Sequence, residues 1–149
     1  MRYFNLVNTY LSLILPQIGL SIPFSIFWLR ASFKSIPKSL SEAAMLEGEG
    51  RWIILVKILL PQMIPALLTL TVLLFMWTWN EFLLALIMIQ DEEMRTAPLA
   101  LSYFAGNKRY GDPAITAAAA IWVALPVLIV YIFLQRRFIS GMVTGSIKE

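Results

Sequence analysis

At 149 residues, with 59% hydrophobic side chains, 14% charged ones and a mean hydropathy of +0.74, the chain has too little polar surface for an ordinary water-soluble domain. It has no cysteine and no histidine, which removes disulfide frameworks, thiolate chemistry, the usual metal ligand and the commonest neutral-pH base. The net charge of +3 comes without a basic patch interleaved with aromatics, so no nucleic-acid partner is indicated.

Uncharged runs cover residues 3–29, 58–80 and 113–135. At about 1.5 Å per helical residue the second and third reach roughly 35 Å, enough to cross a hydrocarbon core of about 30 Å with some tilt. None alternates as a membrane strand does. The pattern predicts an all-α membrane protein with three spanning helices over about 8–29, 62–88 and 114–136, joined by a loop over about 30–61. The first run is too long for a secretory signal peptide, and no small-x-small cleavage site precedes Arg30.

The loop carries Arg30, Lys34, Lys38, Arg51 and Lys57, and the C-terminal tail Arg136, Arg137 and Lys148; the other side holds Arg2, Arg95, Lys108 and Arg109. The excess of cations predicts that the loop and the C-terminus are cytoplasmic. Within the first span, Pro16 and Pro23 remove backbone donors and predict a kink, serving either packing or a pathway.

In the loop, Ser39 stands three residues before Glu42, the spacing of a capping box, and Ala43 to Glu47 are good helix formers. A short helix over about Leu40–Glu47 is predicted, ended by Gly48 in a left-handed conformation. After Gly48-Glu49-Gly50 the stretch "RWIILVKILL" restarts as an apolar helix near the interface, with Trp52 suited to the headgroup level. Pro61 and Pro65 are expected in the first turn of the second span, where proline costs least. The short helix either connects two spans or serves as a rigid knob for a partner's groove.

Toward the far end of the second span, "WTWNEF" holds Trp79, Asn80 and Glu81. A carboxylate is expensive against lipid, so these residues face a pathway or a partner helix, or they anchor the span at the interface. The segment from about Gln90 to Pro113 has room for a short helix. In the third span the small residues Ala114–Ala120 predict close helix packing, and Pro126 predicts a bend. No paired carboxylates lie within the spans and no GxxxxGK[ST] motif occurs, so no catalytic, metal or cofactor site and no ATP site is expected here.

Glu42-Ala43-Ala44, three residues, Gly48, nine residues, then Ile58-x-Leu60-Pro61 resembles the EAA loop of ABC importer membrane subunits. "FWLRASFKSIPKSLSEAA", "WNEF" and the tail "ALPVLIVYIFLQRRFISGMVTGSIKE" look most like the second, maltose-permease-type subunit of carbohydrate uptake transporter family 1. Glu47 and Glu49 stand where that family usually has Asp and Ala. The resemblance covers nearly the whole chain, but only the C-terminal half of such a six-helix subunit, from its fourth helix onward.

The resemblance implies a coupling helix, with Glu42, Ala43, Ala44 and Gly48 at its core, that docks on ABC ATPase subunits where hydrolysis takes place. It further implies a second permease subunit, an extracytoplasmic solute-binding protein, a sugar or oligosaccharide substrate, and a place among the lipids of the cell's inner membrane. The loop motif alone also fits an importer of another solute. Chain length alone fits a small membrane anchor without transport.

Overall fold

The computed structural model describes residues 6–106 and 112–143, with 134–143 by backbone alone. All regular structure among the described residues is helical. The elements are α1 (Tyr10–Ser35), α2 (Lys38–Leu46), α3 (Arg51–Ile53), a π-helical segment (Ile54–Leu59), α4 (Leu60–Trp79), α5 (Leu83–Met88), a 3-10 turn (Glu92–Met94), α6 (Ala97–Gly106) and α7 (Pro113–Val143). Three stretches are long and apolar enough to cross a membrane: Tyr10–Ser35, Arg51–Trp79 and Pro113–Phe133. The chain is therefore an all-α membrane protein with three spans. Arg2, Lys108, Arg109 and Lys148, counted above for orientation, lie outside the described residues, as do the side chains of Arg136 and Arg137.

Helix ends depart from expectation where backbone chemistry overrides hydropathy. The second span starts at Arg51, because α3, the π segment and α4 run on without interruption. Pro61 and Pro65 consequently sit inside a helix instead of in its first turn. Pro61 follows the π segment, whose wider turn accommodates a ring and a missing donor. The helix then stops at Trp79, short of the expected residue 88, and α5 forms a separate piece. α1 passes through both Pro16 and Pro23 without a break.

Two compact units divide the chain. One contains the residues up to Leu20 together with Leu74–Gln135. Its buried apolar residues include Ala85, Ile89 and Leu99, and its one buried polar residue among those described is Ser12. Ser12 Oγ donates to Thr9 O, so the hydroxyl enters the interior already bonded. Before α1, Asn8 adopts a left-handed φ of 63°. Its N–H donates to Met88 O, and its Oδ1 accepts the N–H groups of Gln90 (3.1 Å) and Asp91 (3.0 Å). One side chain thereby ties the start of α1 to the turn after α5. At the head of α7, Asp112 Oδ1 accepts Ala114 N–H, and Pro113 occupies the first helical position, where its missing donor costs nothing.

The other unit contains Ser21–Leu73 and the chain from Arg136. Met63, Leu70 and Val72 of α4, Ala44 of α2 and Ile54 of the π segment are buried in it. Trp28 Nε1 donates to Ala66 O across 3.0 Å, linking α1 to α4. Such an interhelical bond in a membrane contributes about 0.6 kcal/mol on average and at most about 1.7.

Much of the apolar surface stays uncovered. The hydropathic window of the third span has no buried residue, and Ala114, Ala117, Ala118 and Ala120 are all exposed. The close packing expected of the alanine run is thus absent within this chain's described residues.

The Asn8 clasp yields a test. Asn8→Gly keeps the left-handed backbone without strain but deletes the Oδ1 acceptor. Hydrogen exchange at the Gln90 and Asp91 amides is expected to accelerate while α1 amides beyond its first turn stay protected. Unchanged rates at both amides would show that the bonds contribute nothing.

Candidate functional site

The loop between the first two spans is built by two helix-end devices. At its start, α2 begins at Lys38 with Pro37 as N-cap (φ −59°, ψ 129°), and no side chain caps it. The expected Ser39–Glu42 capping box does not form. Proline restricts the residue before it and pre-sets its own φ, so the helix starts directly after Pro37 and Ser39 falls inside the first turn. Ser41 Oγ instead donates back to Lys38 O.

At the other end the glycine behaves as expected. Gly48 has a φ of 83°. The Gly48 N–H donates to Met45 O and the Glu49 N–H to Ala44 O, the paired bonds of a Schellman motif. A Cβ at Gly48 would meet no atom within 4 Å, so the requirement for glycine here is conformational and not steric.

These ends fix what α2 presents. Ala44 is buried, and α2 packs against the π segment that leads into the second span. Glu42 and Ala43 are exposed, as is Gly48. Leu46, the last residue of α2, is 90% exposed, Met45 54% and Trp52 74%. An apolar tip on a polar loop is a surface that gains by being covered. Beside α2 lies an open cleft of about 550 Å³, lined by Ser35, Ile36, Pro37, Ser39, Leu40, Ala43 and Gln62.

At the opposite end of the second span, all three residues singled out in "WTWNEF" have partners within the chain. Trp79 Nε1 donates to Val123 O of α7 at 3.0 Å, and its ring stacks on Phe75. Asn80 Nδ2 donates to Met76 O, closing the last turn of α4. Glu81 Oε1 accepts the Leu84 N–H at 2.8 Å, placing a carboxylate at the start of α5. Helix-end chemistry accounts for the polar pair.

Two arrangements escaped the sequence reading. The Asn8 clasp joins residues 82 and 83 positions apart, with no local signature beyond an asparagine able to adopt left-handed φ. In the segment after α5, Arg95 pairs with Glu92 at 3.2 Å and lies 4.0 Å over the Tyr103 ring. Thr96 just before α6 and Pro98 in its first turn were the legible hint that a helix begins there.

Three apolar spans, the first two joined through a short helix with an exposed apolar tip, define a helical membrane protein. The family model for the binding-protein-dependent transport system inner membrane component matches residues 4–143, and the chain belongs to that family. It is 39% identical to a probable ABC transporter permease protein, YurM, of Bacillus subtilis, over 96% of this chain and 47% of the relative. The trehalose transport system permease protein SugB of Mycobacterium tuberculosis is 34% identical over 99% of this chain and 54% of its own length. The trehalose/maltose transport system permease protein MalG of Thermococcus litoralis is 34% identical over 95% and 51%. The chain spans about half the length of the curated relatives it matches.

Replacing Gly48 is expected to weaken the α2 terminus in the order Asn, Ala, Val. A left-handed non-glycine residue costs about 1–2 kcal/mol, equivalent to roughly 5- to 30-fold faster exchange of amides in the last turn of α2 for Gly48→Val. Equal exchange in all three variants would refute the conformational argument. For Trp79→Phe, which keeps the ring and loses the donor, a loss of about 0.6 kcal/mol and at most about 1.7 is expected in detergent unfolding. A change in substrate affinity without that loss would assign Trp79 to a pathway.

Proposed function

We propose that this chain is part of the permease of an ATP-driven importer of sugars or oligosaccharides, with α2 as the helix that couples it to a separate ATP-hydrolysing subunit. The observation that carries this reading is the tip of α2, where the Gly48 terminus leaves Leu46 90% exposed between two membrane spans. Full burial of a leucine side chain contributes about 1.5–3 kcal/mol, so a groove that takes Leu46 and Met45 gains usefully from a small contact. Glu42 and Ala43 lie on the exposed side of the same helix, Ala44 seats it on the span, and Gly48 sets where it ends.

In this reading the loop and the C-terminus face the cytoplasm, in line with the excess of Lys and Arg there. A second permease subunit packs on the uncovered alanine run of α7, whose small side chains permit close approach. Substrate reaches the path between the two permeases from an extracytoplasmic solute-binding protein. The sugar class is supported by the trehalose and trehalose/maltose systems to which the similar permeases of Mycobacterium tuberculosis and Thermococcus litoralis belong.

The test is site-directed cross-linking in native membranes. Leu46→Cys is expected to cross-link to an ATPase subunit, and Leu46→Asp to reduce co-isolation of that subunit while the permease remains in the membrane. Failure of the cysteine variant to reach any ATPase, with the chain inserted and stable, would reject the coupling role.

A further inference from the structure

Three observations converge on Ile54–Leu59. These six residues form a π-helix inside the continuous helix Arg51–Trp79. Their turn is one residue wider than an α turn, as shown by the Leu60 N–H bonding to Leu55 O, five positions back. α2 packs against this segment, and Ala44 and Ile54 are the buried residues of the two elements.

Pro61 stands just beyond, after Leu60. In a regular α-helix it would leave the Lys57 carbonyl without its partner, since proline has no N–H. A widened turn lets that carbonyl look one residue further, to Gln62. In that register the Val56 carbonyl faces Pro61 instead, so each arrangement leaves one carbonyl unpaired and neither is strongly preferred by backbone bonding alone. On one side of α2 the cleft lined by Leu40, Ala43 and Gln62 leaves the helix room to turn.

We propose that Ile54–Leu59 is a register joint. Conversion of its turn from π to α releases the extra residue, which amounts to about 1.5 Å along the axis and about 100° of rotation, shared between the loop and the span. Displacement of α2 by a docked partner thereby becomes rotation of α4. This inference rests on the coupling role given to α2 above, and it adds the step by which movement of the loop enters the membrane.

Spin labels at Lys38→Cys and Thr71→Cys, both exposed, bracket the joint in a chain without native cysteine. In the assembled complex in lipid nanodiscs, the distance distribution is expected to hold two components whose populations change on adding ATP. Deletion of Val56 removes the extra residue; the expected result is one component, insensitive to ATP, with the ATPase subunits still bound and transport per ATP lost. Should that deletion prevent assembly, Pro61→Ala decides, because removing the ring relieves its clash with the Lys57 carbonyl in the α turn and shifts the nucleotide-free distribution toward the α component. A wild-type distribution in Pro61→Ala, or a wild-type response to ATP in the Val56 deletion, would overturn the proposal. Absence of any ATPase subunit from the isolated complex would instead defeat the coupling role, and the nucleotide-free comparison of Pro61→Ala would still decide the joint.

Discussion

Backbone polar groups in a hydrocarbon surround must find partners within the protein, and the details of this chain follow from how that requirement is met wherever a helix is disturbed. Where α4 ends, Asn80 closes the last turn and Glu81 opens the next helix. Where α2 ends, Gly48 directs two N–H groups onto two otherwise free carbonyls. Where the chain enters α1, Asn8 supplies a donor and a double acceptor to a turn more than eighty residues away. Within the spans, hydroxyls at Ser25, Ser32, Thr69 and Thr71 each donate to the carbonyl one turn earlier, so even isolated polar side chains reach lipid depth already bonded.

The same requirement explains which parts of the fold could be read from the sequence. Spans are written in one dimension as uncharged runs, and the left-handed Gly48 follows from glycine after a run of helix formers. Both were legible because the physics is local. The start of α2 was misread because two local signals compete there, and the preset backbone of Pro37 outranks the hydroxyl of Ser39. Pro61 was misread for a different reason. Proline marks a boundary in a regular α-helix, whereas here a neighbouring π turn absorbs it and lets the helix continue. The bonds from Trp79 to Val123 and from Trp28 to Ala66 could not be read at all, since nothing in either segment announces its partner 44 or 38 residues away.

At the candidate site, sequence and geometry divide the information between them. The EAA pattern marked α2 as the residues to watch, but the pattern treats its members alike. The geometry separates them: Ala44 is small because the helix seats there against the π segment, Gly48 is glycine for its dihedral angle, and Glu42 and Ala43 are surface. Leu46, outside the pattern, is the most exposed large apolar residue among those described. Polar residues at the far end of the second span, which hydropathy marks as anomalous, are accounted for by helix termination.

The uninterrupted helix from Arg51 to Trp79 has a mechanical corollary. It contains 29 residues, of which Leu60–Trp79 supplies 20, by itself about 30 Å and so sufficient to fill the hydrocarbon core. The nine residues from Arg51 to Leu59 add roughly 13 Å that the bilayer does not require. That surplus is a stalk, helically continuous with the span and carrying α2 against its side. A force applied to α2 therefore acts on the span across an added length nearly half the thickness of the hydrocarbon layer.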